Sequence, residues 1–282
     1  MLNNTSIKPK IGEASLNISV QLFYNSMDVN RVRFDLKHFA ELARGLDLPI
    51  SRVVRDYLQR HYLGHLRSDH LVLQGGAALR FFYGSKRLSD DVDLVYIDER
   101  AVEDAIRAAE EISSRYSIKR AEGLTRIKAY FPYDRGEITL RIELFKIPAY
   151  TPQKLMLMGT QNKILVESPV EIKADKIVAI LDLFKRRLYI NMVDLYDLCY
   201  LEDLTEELDV RMVRRKLEDY AIRLTNRDFL DFLAALKKSS YRFEPTLSRY
   251  LPRDERGKID ENTMLNKITK LLIEVKEALG YE

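Results

Sequence analysis

The residues best placed to do chemistry lie between Leu71 and Leu94, in the string LVLQGGAALRFFYGSKRLSDDVDL. Asp91 and Asp93 are spaced so that, in a strand, both carboxylates fall on one face while Val92, Leu94 and Tyr96 fall on the other. Two carboxylates so close repel each other and raise a pKa unless a cation sits between them. Hard oxygen ligands of this kind suit magnesium, which keeps several waters and shares its remaining positions with phosphates. A short apolar run, Leu71-Val72-Leu73, is closed by Gly75-Gly76, as expected of a buried strand ending at a tight turn. Ala77 to Tyr83 then reads as a helix that Gly84 ends. A glycine turn ahead of a helix exposes backbone N–H groups at the positive helix end, where a triphosphate can rest. A phosphate cradle beside a metal-binding acidic pair is the minimum equipment for phosphoryl or nucleotidyl transfer.

Two further elements must position this chemistry. In the segment Glu137 to Ile147, Ile138, Leu140, Ile142 and Leu144 alternate with Thr139, Arg141, Glu143 and Phe145. Glu143 therefore lies opposite the apolar set, where a neighbouring strand can bring it beside Asp91 and Asp93. With Leu124 to Pro132 this segment reads as a hairpin, turned at Tyr133-Asp134-Arg135-Gly136. In Glu171 to Phe184, Ile172, Ile177, Ile180, Leu181 and Phe184 share one side of a helix, and Lys173 and Lys176 lie on another.

Gly75-Gly76 followed by Asp91-x-Asp93 resembles the signature of the polymerase-beta-like nucleotidyltransferases. The fuller string, Gly75-Gly76-Ala77-Ala78-Leu79 with Arg87-x-Ser89-x-Asp91-x-Asp93-Leu94, is similar to the AbiEii/AbiGii toxin branch, worded GG-T-A-L and then R-x-S-x-D-x-D; Ala77 replaces the usual threonine. Lys176-x-x-Ala179-Ile180 followed by Asp194-Leu195-Tyr196-Asp197-Leu198 resembles that branch's second signature, a lysine helix and then R-D-x-Y-D-L, with Val193 in place of the arginine. Arg186 or Arg187 is expected to substitute for it. The resemblance covers residues 50 to 205. It implies a magnesium-dependent nucleotidyltransferase that moves a nucleoside monophosphate from an NTP to an acceptor and releases pyrophosphate. Asp91, Asp93 and a third carboxylate, for which Glu143 is the candidate, would hold two magnesium ions. Gly75, Gly76 and Ser89 would hold the β and γ phosphates, Arg87 and Lys176 would neutralise the leaving pyrophosphate, and Asp194 would position the nucleotide or act as base. The toxin branch further implies transfer RNA as acceptor and a cognate antitoxin as partner.

The fold expected is α/β (α+β): a mixed sheet with flanking helices of the polymerase-beta-like type over residues 1–165, then a C-terminal helical domain over 166–282 that closes the nucleotide cleft. Tyr150 to Pro169, with two prolines and scattered polar residues, reads as the boundary. Arg31 to Gly45 reads as a first helix and a second follows, capped by Ser51, with Val54, Tyr57, Leu58, His61, Tyr62 and Leu66 recurring at helical spacing. These two form a layer on the catalytic sheet rather than a DNA-binding pair. Glu99 to Tyr116 reads as a covering helix, Thr225-x-x-Asp228 as a helix start, and Asn262 to Leu279 as the last helix.

Composition adds bounds. The chain has 282 residues, 46% hydrophobic and 32% charged, with a net charge of +3, so any nucleic-acid contact must come from a local patch. The basic clusters Lys185-Arg186-Arg187 and Arg211 to Lys216 suit either a solvated helix face or an RNA backbone. The single cysteine, Cys199, excludes an internal disulfide and reads as a packed thiol. No apolar run is long enough to cross a membrane, and a cytoplasmic protein is expected. Two other readings remain at this stage: transfer to a small molecule, as in antibiotic-modifying enzymes, and a non-catalytic nucleotide-binding protein that keeps the fold.

Overall fold

The computed structural model describes residues 36–133, 136–205, 207–238 and 243–281. The opening of the first helix expected from Arg31 and the centre of the Tyr133–Gly136 turn lie outside them.

A seven-stranded mixed sheet, in the order β3-β4-β5-β2-β1-β7-β6, organises the N-terminal half. Its strands are β1 (Leu71–Gln74), β2 (Asp91–Tyr96), β3 (Tyr116–Ala121), β4 (Leu124–Tyr133), β5 (Gly136–Phe145), β6 (Pro152–Met156) and β7 (Lys163–Glu167). β2 lies between β1, antiparallel to it, and β5, parallel to it; β7 runs parallel to β1 on its other side. One face is covered by α1 (Leu36–Leu46), α2 (Ile50–His65) and α4 (Arg100–Ile112), with α3 (Gly75–Phe82) linking β1 to β2. The alternation in β4 and β5 is complete: Ile127, Ala129, Phe131, Ile138, Leu140, Ile142 and Leu144 are buried in that core, and the intervening residues face away.

From α5 (Pro169–Arg187) onward the chain is helical: α6 (Met192–Leu204), α7 (Val210–Asp219), α8 (Asn226–Lys237), α9 (Phe243–Leu247), α10 (Arg253–Arg256) and α11 (Glu261–Ala278). A second core gathers Ile177, Ile180, Leu181, Leu195, Leu198, Phe229, Phe232, Ile268 and Leu272. The two cores meet inside α5, where Ile172 belongs to the first and Ala174 to the second. Polar contacts tie the halves: Tyr200 Oη donates to the Tyr83 carbonyl at 2.5 Å, and Leu88 N donates to the Tyr250 carbonyl at 2.9 Å.

Several sequence expectations are corrected. Tyr150 to Pro169, read as the boundary, holds two unforeseen strands, β6 and β7, and β7 lies inside the sheet between β1 and β6. Pro152 opens the edge strand β6, a position where a missing N–H costs no ladder bond, which is why the prolines misled. Glu99 to Tyr116 is helical only to Ile112, and Tyr116 starts β3, an exposed edge strand without a clean apolar face. Ser51 does not cap α2: the helix starts at Ile50 after Pro49, without a side-chain cap. Thr225 does cap α8, in a capping box with Asp228. His61 is half-buried, and burial with His65 alongside pushes its pKa down to about 4. Burial likewise pushes the Cys199 thiol up to about 11, consistent with a packed side chain.

Candidate functional site

Register places the acids. Asp93 is directly opposite Glu143 on β5 and opposite Gln74 on β1, while Asp91 is opposite Arg141. The three predicted carboxylates thus share the open face of the sheet on two adjacent strands. Asp91 Oδ1 takes a hydrogen bond from Arg141 Nε at 2.5 Å, and Glu143 Oε1 one from Arg126 Nε at 2.8 Å. Burial, and next the charge of Asp91, push the Asp93 carboxyl up to about 7. Asp91 is also raised, by burial, against the pull of Arg141. Asp91 and Asp93, which reach charge only at a cost, and Glu143 directly opposite Asp93 form a donor set that a hard divalent cation fits, since its charge offsets burial and repulsion at the aspartate pair.

The glycines are needed for close approach. Gly75 has φ +67, and a Cβ on it would lie 3.1 Å from Asp93 Oδ2. A Cβ on Gly76 would lie 2.2 Å from Arg87 Nη2 and 3.0 Å from Ser89 Oγ. Gln74 gives α3 no side-chain cap, so its first-turn N–H groups are left for another acceptor.

Arg87 and Ser89 stand behind this turn rather than in the cleft. The Arg87 side chain is buried, and Nε and Nη2 donate to Asp197 at 2.6 and 2.7 Å, while Nη1 donates to the Leu88 carbonyl at 2.8 Å. Ser89 Oγ donates to the Asp91 carbonyl at 3.0 Å. Their donors are spent on the protein: Arg87 ties the glycine turn to α6, and Ser89 fixes the start of β2.

Lys176 from α5 completes the site. Its Nζ lies 2.5 Å from Asp194 Oδ1 and 2.8 Å from Asp197 Oδ2, both on α6. Burial alone would raise the Asp197 pKa, but Arg87 and Lys176 overcome it and hold the carboxylate below its ordinary value. Asn191 Nδ2 donates to Asp194 Oδ2 at 2.6 Å, in the place expected of Arg186 or Arg187; Arg186 instead pairs with Asp182. The result is a ladder, Arg87–Asp197–Lys176–Asp194–Asn191. Asp197 lies within the second signature, but nothing local in the sequence gives it a role, because its partners come from both halves of the chain.

A cleft of about 400 Å³ lies between the sheet and α5, with walls that include Gly75, Asp93, Lys176, Asp194, Tyr220 and Ile222. Of the predicted residues, then, the structure brings Gly75, Asp93, Lys176 and Asp194 to the cleft wall, with Asp91 and Glu143 beside it on the sheet.

A second acidic group lies deeper. Glu167, Glu171 and Asp175 bring carboxylate oxygens within 4.8 Å of one another, a grouping that could hold a metal ion. The cation place is already filled: Lys216 Nζ, fully buried, lies 3.1, 2.8 and 2.9 Å from the three acids. Despite that lysine, burial and Asp175 hold the Glu167 carboxyl well above the ordinary range. Lys216 belonged to one of the basic clusters, where nothing local distinguishes it from a solvated helix lysine.

A profile of the nucleotidyl transferase AbiEii toxin, type IV toxin–antitoxin system, matches residues 56–268. Among solved structures, JHP933 from Helicobacter pylori is similar with a TM-score of 0.51 at 19% identity, over 82% of this chain and 97% of that one. A second H. pylori structure, described as a candidate nucleotidyltransferase, has a TM-score of 0.47 at 15% identity, over 82% and 97% of the two chains. At these identities the likeness to JHP933 concerns the fold. No curated protein matches the chain.

Proposed function

The chain belongs to the AbiEii nucleotidyl transferase toxin family of type IV toxin–antitoxin systems, and from that premise we propose that it transfers a nucleoside monophosphate from an NTP to the end of an RNA, transfer RNA being the acceptor of choice, with magnesium as cofactor. The observation that carries the reading is the shared cleft, in which the glycine turn and Asp93 of the sheet face Lys176 and Asp194 of the helical half.

The chemistry divides among named groups. First-turn amides of α3, at Gly75 and Gly76, bind phosphate oxygens at the positive helix end. Lys176, held by Asp194 and Asp197, offsets charge gathering on the β and γ phosphates. Asp194 also fixes where the nucleotide lies against α6. Asp91, Asp93 and Glu143 would hold magnesium, two ions by the family resemblance, which when bound supplies charge neutralisation at the reacting phosphate. The acceptor hydroxyl oxygen attacks the α phosphorus, the bond from that phosphorus to the β-phosphate oxygen breaks, and pyrophosphate leaves. The hydroxyl proton passes to Glu143, the one of the three acids that stands on β5, toward the β3 edge of the sheet. Arg87 and Ser89 hold the cradle and Asp91 from behind.

A cognate antitoxin would be the partner, and the cytoplasm the compartment where NTPs and transfer RNA meet. Among the described residues no helix is long and apolar enough to cross a membrane. The acceptor is tested by incubating the protein with total RNA, magnesium and each labelled NTP in turn, beside an Asp91→Asn/Asp93→Asn control. Label in the transfer-RNA band that disappears in the control is the result expected. Label in other RNA alone, or in small molecules alone, would replace the acceptor named here.

A further inference from the structure

We propose that the open face of β3, β4 and β5 docks the single-stranded end of the nucleic-acid acceptor and leads it to Glu143. The inference rests on the nucleotidyl-transfer reading above and deepens it by placing the acceptor on the protein.

The face is built in rows. Lys119 on β3 is opposite Arg126 on β4, which is opposite Glu143 on β5, which is opposite Asp93 on β2. The neighbouring row runs Ser117, Lys128, Arg141, Asp91. Each row starts at the sheet edge in cations or hydroxyls and ends in the candidate catalytic carboxylates. With strands about 4.8 Å apart, Lys119 stands two strands, or ~10 Å, from Glu143.

Two features separate this face from an ordinary solvated one. Like charges directly opposite each other on neighbouring strands are destabilising, yet the pattern occurs twice, at Lys119/Arg126 and at Lys128/Arg141. Arg126 and Arg141 are offset by Glu143 and Asp91, the acids a catalytic cation would engage. Lys119 and Lys128 form no ion pair with any described residue. A line of phosphates answers this arrangement. The same face also carries Tyr130, whose hydroxyl shares a hydrogen bond with Ser117 Oγ at 2.8 Å and whose ring lies 5.0 Å from the Arg115 guanidinium. That guanidinium lies over the tyrosine ring and pairs with Glu137, so Tyr130 and Arg115 mark the far end of the row and do not add to its unpaired charge.

Most of the basic clusters conspicuous in the sequence are engaged elsewhere, Arg187 and Arg211 excepted. Lys185 donates to the Arg223 carbonyl at 2.6 Å and to Asp228 at 2.9 Å, Arg186 pairs with Asp182, and Lys216 is buried. Arg214 donates to the Ala278 carbonyl at 3.1 Å, and Arg215 lies over the Tyr150 ring.

The test is fluorescence anisotropy with a labelled RNA hairpin ending in a single-stranded 3′ tail, without NTP, over a potassium chloride series. Binding to the parent is compared with K119Q, K128Q and the double variant, with NTP binding by calorimetry as the fold control. The double variant is expected to bind the RNA about tenfold more weakly, and its log–log salt slope to fall by about 1.4, roughly 0.7 per lost phosphate contact. Each single variant should lose about half of that slope, and all should bind NTP as the parent does. Parent-like affinity and slope in the double variant would overturn the surface while leaving RNA as acceptor. Loss in R187Q instead would move the contact to the helical half and overturn it too. A parent that binds no RNA, or binds polyglutamate of equal charge as tightly, would overturn the surface and the RNA acceptor together.

Discussion

Asp93 carries its charge against its surroundings, with burial and Asp91 moving its pKa from an ordinary 3.8 to about 7. The folded protein keeps a proton there that the unfolded chain would release. Stability linked to Asp93 is therefore fully present below about 4 and is lost as pH rises through about 7. Asp93→Asn should raise the melting temperature at pH 8, by the equivalent of at most ~4 kcal/mol for three units at 1.36 each, and leave it nearly unchanged at pH 4. Thermal melts across that range check the sign; equal destabilisation at both ends would mean that Asp93 is not under this strain. Asp197 has the opposite character, since it is depressed and holds Arg87 and Lys176 together. Asp197→Ala leaves a buried guanidinium without its partner and should cost about 3–5 kcal/mol in urea unfolding. Sequence made Asp91, Asp93, Gly75 and Gly76 legible because their spacing is local. It left Asp197 without a role and Arg87 facing a phosphate, because nothing local says that two residues so far apart in the chain will meet.

Among the elements, the legible ones had a periodic apolar pattern: α2, β4, β5, α5 and α11. Glu143 could be placed on the polar face because alternation in β5 is strict, and its pairing with Asp93 follows from the parallel β2–β5 register. β3 and β6 escaped because edge strands bury little and so need no apolar pattern. β7 escaped because five residues, Lys163–Glu167, are too short to show one. The junction of sheet and helices depends on Lys216 of α7, which gathers Glu167 at the end of β7 with Glu171 and Asp175 of α5. Lys216→Met would leave three buried acids without their cation and should cost about 3–5 kcal/mol at pH 7. The loss should shrink near pH 5, where acids freed of the lysine take up protons, and urea unfolding at the two pH values measures it. A loss that is equal at both would remove Lys216 from this role.

Across the whole molecule, the cleft exists because two cores meet in α5 and the same helix presents Lys176 to the sheet's glycine turn. A nucleotide held there bridges both halves and stabilises the fold by mass action, about 2.7 kcal/mol at a hundredfold excess over its Kd. Lys176→Met should bind NTP more weakly and lose most of that gain at the same nucleotide concentration, as thermal shift would register. A full gain in Lys176→Met would place the triphosphate elsewhere. The two-part α/β and helical layout was readable from composition and periodicity. The acceptor face of β3 to β5 was not, because its cations are single residues on three strands that only the sheet brings together.

The most direct test of nucleotidyl transfer at this cleft uses one NTP labelled either at the α or at the γ phosphate, with RNA and magnesium, in the parent and in Asp93→Asn. The account predicts that α label enters RNA, that γ label leaves as pyrophosphate, and that both events disappear in the variant. Transfer of the γ label to the acceptor, or transfer by Asp93→Asn at the parent rate, would contradict it.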